Sequence, residues 1–199
     1  MNPAFRTLTD ADLQAEQALV EAAQRNPRRF APLYDRYYDR IFLFLYKRTD
    51  DEEISADLCS QVFLKALQHL PRYRFTGAPF SAWLFRIAVN EVNQYFRQAK
   101  RARVISLETV KLRQLVAEAD EPRSDAAMQA MIRVLQLLKP EELEYIELRF
   151  FEELSFRELG EIYGITENNA KVRMYRLLDR VKALMVKSGL PPADEPAAC

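Results

Sequence analysis

Glycine, histidine, cysteine and long apolar runs are all scarce in this chain, and each scarcity removes a class of protein. Only four glycines occur in 199 residues, and no stretch alternates β-branched with polar residues, so an all-α fold is expected. The two cysteines, Cys59 and Cys199, are too few for a disulfide framework and stand in no metal-ligand spacing. His69 is the single histidine, which argues further against a zinc site. No apolar run approaches the ~20 residues that cross a bilayer, and the amino terminus lacks the apolar core of a signal peptide. A cytoplasmic protein with no direct membrane insertion is the expectation. Ser-His-Asp and Cys-His groupings, a Gly-rich phosphate loop and a metal cluster are missing too, and the carboxylates follow helical surfaces. Neither an enzyme nor a cofactor is expected.

A surplus of one charge is also lacking, with 29 Lys and Arg against 29 Asp and Glu, so the total says nothing about a nucleic-acid partner. The distribution does. From Lys139 to Ile165 eight acids stand against three bases, and from Thr166 to Lys187 six bases stand against Glu167 and Asp179. This reversal is a local electrostatic footprint that the whole-chain balance hides.

The reversal coincides with a pattern of two short helices and a tight turn. Ser155 with Glu158 forms a capping box, which starts a helix at Phe156. Gly164 can take the left-handed conformation that ends it, and Thr166 is a second N-cap candidate. Along the following helix Ala170, Met174, Leu177, Leu178, Val181, Leu184 and Met185 fall on one arc, the buried side. Asn168, Asn169, Lys171, Val172, Arg173, Tyr175, Arg176 and Arg180 fall outside it. A basic helix face is often no more than solvated surface. Amides, cations and a methyl-bearing side chain behind a capped turn suit a DNA major groove, where they neutralise phosphate or read base edges. A helix-turn-helix is the reading that follows.

Earlier in the chain, residues 1–16 are polar with weak periodicity. Apolar and aromatic residues from Phe30 to Tyr46, and again from Ile54 to Leu70, recur at helical steps and mark two core helices. The second presents Asp57, Gln61 and Lys65 on its other side, a row that is wet surface unless a partner uses it. Gly77 and Pro79 break the chain into a loop from Tyr73, after which a long helix runs from Phe80. On it Arg86, Asn90, Asn93 and Arg97 form one stripe, followed by Lys100, Arg101 and Arg103. Cations interleaved with rings such as Phe75 and Phe80 fit single-stranded nucleic acid, whose bases stack on aromatic faces. Most of these rings are nevertheless expected in the core. Residues 104–125 read as a linker, which separates a front domain at 17–103 from a second at 126–187.

This layout resembles the extracytoplasmic-function (ECF) sigma factors, two-domain bacterial subunits that give RNA polymerase its promoter choice. The segments that carry the resemblance are DLCSQVFLKAL at 57–67, PFSAWLFRIAVNEVNQYFRQAKR at 79–101, and the stretch from Leu138 to Val181. The resemblance implies a front domain that docks on the clamp helices of the largest polymerase subunit through Asp57, Gln61 and Phe63. It implies that Phe75, Phe80 and Asn90 catch a base flipped from the minus-ten strand, with Arg86, Asn93, Arg97, Lys100 and Arg101 along the backbone. The second domain, which meets the flap of the second-largest subunit, would read the minus-thirty-five duplex. There Lys171, Val172 and Tyr175 face bases, and Asn169, Arg173 and Arg176 grip phosphates. An anti-sigma factor is a further implied partner. The residues alone leave open a stand-alone helix-turn-helix regulator whose front half serves dimerisation or sensing.

Overall fold

The computed structural model describes residues 9–99 and 125–187. Lys100, Arg101 and Arg103 of the expected basic cluster, residues 104–124 of the expected linker, and the tail with Cys199 lie outside the described residues. Among those described, eight α-helices are present and no strand, in keeping with the glycine-poor composition. None of these helices is long and apolar enough to cross a membrane. The described residues divide into two compact units, one formed mainly by residues 9–99 and the other mainly by residues 125–159 and 166–187.

The front unit contains α1 (Asp10–Arg25), α2 (Ala31–Thr49), α3 (Glu52–His69) and α4 (Phe80–Ala99). Helix starts earlier than the polar amino-terminal composition suggests. The Thr9 hydroxyl accepts from the Asp12 amide at 3.2 Å while the Asp12 carboxylate accepts from the Thr9 amide at 2.9 Å, a reciprocal cap that opens α1. Its composition is polar because the core covers only one face, through Glu16, Val20 and Ala23. Between α2 and α3 the chain turns at Asp50, which is left-handed at φ 51°. Asp51 then caps α3, accepting from the Ile54 amide at 3.0 Å.

The apolar sides of α2, α3 and α4 meet in one core. Leu33, Ile41, Phe44 and Leu45 of α2 pack with Val62 and Ala66 of α3 and with Leu84, Phe85 and Ala88 of α4, all fully buried. Phe44 meets Phe85 edge-on at 5.0 Å, a favoured aromatic geometry. Cys59 lies in the same interior, where burial first and Asp39 second push its thiol up to about 12. It stays protonated at neutral pH and behaves as a small apolar side chain.

The back unit is built on α5 (Asp125–Gln136), α6 (Pro140–Ile146) and α8 (Glu167–Lys187), with α7 (Phe156–Tyr163) lying between the last two in the chain. Pro140 occupies the first helical position of α6, where its missing N–H costs nothing, and Glu142 accepts from the Lys139 amide at 3.0 Å. The helix does not run straight on past Ile146. It widens into a π-helical turn over Glu147–Phe151, and Glu153 adopts a left-handed φ of 57° before α7. Arg149 stitches this corner, donating to the Leu154 carbonyl at 3.1 Å and lying 4.9 Å over the Phe156 ring.

Candidate nucleic-acid interface

The turn between α7 and α8 has the geometry its residues predict. Ser155 and Glu158 satisfy each other's backbone amides, at 2.8 Å from the Ser155 N–H to the carboxylate and 3.2 Å from the Glu158 N–H to the hydroxyl. Gly164 ends α7 at φ 65°, a conformation in which a Cβ would be strained. Thr166 accepts from the Asn169 amide at 3.2 Å and starts α8. The inner face of α8 is the expected one, with Ala170, Met174, Leu177, Leu178, Val181 and Met185 buried and Leu184 half-buried.

The outer face presents Asn168, Asn169, Lys171, Val172, Tyr175, Arg176 and Arg180 to solvent. Tyr175 is 52% exposed and Val172 39%, so neither owes its place to packing. The Lys171 ammonium lies 5.9 Å from the centre of the Tyr175 ring. Arg173 is only half-buried at the edge of this face, its guanidinium 4.4 Å over the ring of Tyr145. Tyr145 is a residue that the sequence reading missed. Its ring is fully buried and its hydroxyl donates to the Ala170 carbonyl at 2.8 Å, which pins the first turn of α8. Burial pushes this phenol up to about 12 while Arg173 pulls the other way, so it remains a donor at neutral pH. Neither contact has a sequence signature, because the partners lie 25 and 28 positions apart.

In the front unit the stripe on α4 forms as expected, with Arg86, Asn90 and Arg97 exposed and Asn93 half-buried. The loop ahead of it separates the two phenylalanines assigned to strand binding. Phe75 stands out at 39% exposure, whereas Phe80 is completely buried. Phe80 lies 6.1 Å from Tyr37, 5.3 Å from Tyr73 and 5.4 Å from Trp83. Its ring is core and offers no face to a base, because α4 begins at that residue and turns it inward.

A similar correction applies on α3. Asp57 and Gln61 are exposed, but Phe63 is buried against Phe30 at 6.4 Å, Tyr34 at 4.7 Å and Tyr38 at 6.2 Å. The third member of that polar row, Lys65, pairs with Glu91 of α4 at 2.6 Å.

Two family profiles match the chain in the order of these units. Sigma-70 region 2 matches residues 33–102 and Sigma-70, region 4 matches residues 134–183. The ECF RNA polymerase sigma factor BldN of Streptomyces coelicolor is 29% identical over 183 residues, which cover 90% of this chain and 69% of that protein. The chain belongs to the ECF sigma factors. The RNA polymerase sigma factor YlaC of Bacillus subtilis is 29% identical over 163 residues, covering 78% of this sigma factor and 91% of YlaC. Among solved structures, CnrH in complex with the cytosolic domain of CnrY covers 87% of the chain and 98% of its own, with a TM-score of 0.55 and 20% identity. That likeness concerns the fold alone. As a member of its family, this sigma factor binds core RNA polymerase and directs promoter-specific transcription initiation.

One cation on the outer face of the sigma factor's α8 is already engaged. Arg180 pairs with Glu142 of α6, beside a cleft of about 420 Å³ lined by Asn169, Val172, Arg173 and Arg176. An exposed pair of this kind holds at about 0.2–1 kcal/mol. Glu142→Gln should therefore free Arg180 and tighten upstream duplex binding by up to about fivefold. The plot of log affinity against log salt should steepen by up to about 0.9, the share of one added phosphate contact. A salt series by fluorescence anisotropy measures both, and an unchanged slope would mean that Arg180 makes no phosphate contact.

Proposed function

We propose that the two units of this sigma factor divide promoter recognition between an unpaired strand and an intact duplex. The front unit, assigned to residues 17–103 and extended upstream by α1, docks through Asp57 and Gln61 on the clamp helices of the largest polymerase subunit. Phe75 and Asn90 then take a base of the minus-ten strand, with Arg86, Asn93, Arg97, Lys100 and Arg101 along the backbone. The back unit, at 126–187, meets the flap of the second-largest subunit and lays α8 in the major groove of the minus-thirty-five element. Lys171, Val172 and Tyr175 face bases there, and Asn168, Asn169, Arg173, Arg176 and Arg180 serve the phosphates or the groove edge. The exposure of Val172 and Tyr175 on an otherwise polar, cationic helix face behind a capped turn carries this reading. Opening the duplex is offset by contacts that only the opened strand makes.

The protein acts as an initiation factor and not as an enzyme, it works in the cytoplasm, and an anti-sigma factor restrains it. The large apolar side chains Leu43, Tyr46 and Leu64 on α2 and α3 are exposed, and a partner docked on these helices would cover them. Recovery of the native protein with polymerase subunits alone, in the absence of any other partner, would count against the restraint.

Site-specific photo-crosslinking tests the division of labour on a promoter selected by the holoenzyme from randomised DNA. A crosslinker at position 175 should attach to the minus-thirty-five duplex in closed and open complexes alike. One at position 75 should attach to the minus-ten non-template strand, and only after opening. Attachment of position 75 to closed duplex, or of either position without core enzyme at comparable yield, would overturn the proposal.

A further inference from the structure

Helix α1 precedes residue 33, where the region 2 match begins, yet it holds both ends of the loop that displays Phe75. At the near end, the Gln24 amide donates to the Leu70 carbonyl at 2.9 Å and to the Tyr73 carbonyl at 3.0 Å. At the far end, the Glu16 carboxylate accepts from the Phe80 amide at 2.6 Å and from the Tyr37 hydroxyl. Phe80 is the first residue of α4, whose opening amides have no partner within the helix, and a carboxylate there is favoured by the helix dipole. Glu16 is 1% exposed, so water does not compete for either bond. The two α1 side chains are eight positions apart and fall on one helical face, so they act as one brace.

Between these anchors Arg74, Phe75 and Thr76 are exposed, and Ala78 is buried. Tyr73 turns in, packing on Trp83 at 4.9 Å and on Phe80, and the next outward ring is Phe75. A cleft of about 220 Å³ separates Phe75 and Arg74 from Gln17 and Gln24 of α1. The direction of Phe75 therefore depends in part on bonds from α1, a helix that contributes no residue to the assigned DNA surface. We infer that Glu16 and Gln24 are positioning residues for strand capture, acting on the opened minus-ten strand only through the 70–80 loop. The inference rests on the reading above that Phe75 takes a base.

Gln24→Met keeps the size of the side chain and removes both donors. With holoenzyme on the selected promoter, closed-complex affinity should stay within about twofold, since none of the duplex-facing groups is altered. The rate of opening, followed by permanganate reactivity of minus-ten thymines, should fall roughly 10- to 100-fold, the scale on which ~1 Å of misplacement acts. Trp83, the single tryptophan, should change its emission because its neighbour Tyr73 loses its anchor. Gln24→Lys, which can still donate to both carbonyls, should restore opening.

Unchanged opening in Gln24→Met would overturn the inference. So would a fall in opening that tracks a fall in thermal stability or core binding, since that describes a general fold defect. A parallel Phe75→Ala arm separates the two levels. If Phe75→Ala impairs opening and Gln24→Met does not, the brace fails and the base-capture reading survives. If Phe75→Ala leaves opening intact, the reading itself fails.

Discussion

Phe80→Ala will destabilise the front unit by about 3–5 kcal/mol, and Phe75→Ala will leave its stability almost unchanged while crippling promoter opening. The two rings are five positions apart in the same aromatic, basic segment, and sequence treats them alike. Their surroundings differ. Phe80 is fully buried among Tyr37, Tyr73 and Trp83, so truncation removes dispersion contacts and leaves a cavity that rigid neighbours cannot close. Phe75 keeps 39% of its surface in solvent, and its loss gives up about 1–3 kcal/mol of stacking on a captured base. Each 1.4 kcal/mol is tenfold in a rate or an equilibrium. Urea unfolding followed by Trp83 emission measures the first effect, and permanganate footprinting measures the second. A stable Phe80→Ala that cannot open DNA would reverse the assignment of the two rings. Asn90→Ala, on the exposed stripe of α4, should join Phe75→Ala in sparing duplex binding and impairing opening.

The contrast shows where sequence is informative. Helical spacing sorts residues within one helix, and it gives the inner faces of α3 and α8 because each face is set by a local period, whereas on α2 the same spacing takes in Tyr34 and Tyr46, which are exposed. It does not decide between rings at the junction of a loop and a helix, where direction depends on the first turn of α4. Phe63 is a different case: the spacing puts it on the apolar side of α3, the resemblance puts it on the docking surface, and its contacts with Phe30, Tyr34 and Tyr38 agree with the spacing.

Local chemistry was the most legible part of the molecule. The Ser155–Glu158 box, the Gly164 stop and the Thr166 cap each involve residues within three positions, so their signals survive without tertiary information. The Thr9–Asp12 box is just as local, and was overlooked because α1 is polar on all but one face. Glu16, Gln24 and Tyr145 carried no signal at all. A polar residue whose partners lie 21 to 64 positions away looks, in sequence, like any solvated side chain, and only its tertiary surroundings distinguish it.

Substitutions on α8 should separate base readers from phosphate contacts. Lys171→Ala and Tyr175→Ala should each weaken the selected minus-thirty-five element by about 1–3 kcal/mol and relax specificity at the contacted positions. Arg176→Ala should weaken all sequences about equally and lower the salt slope by about 1. The reason lies in the face itself. Arg176 and Arg180 lie on the side of α8 toward α6, where a phosphate rail would run, whereas Lys171 and Tyr175 share the remaining outward surface. Because the Lys171 ammonium rests 5.9 Å from the centre of the Tyr175 ring, the two should not be independent, and their double variant should lose less than the sum of the singles. Holoenzyme anisotropy on point variants of the element, repeated across salt, gives slope and specificity together. Uniform weakening by Tyr175→Ala with specificity intact would move that residue from reading bases to supporting the backbone, and would leave Val172 and Lys171 to carry the sequence choice.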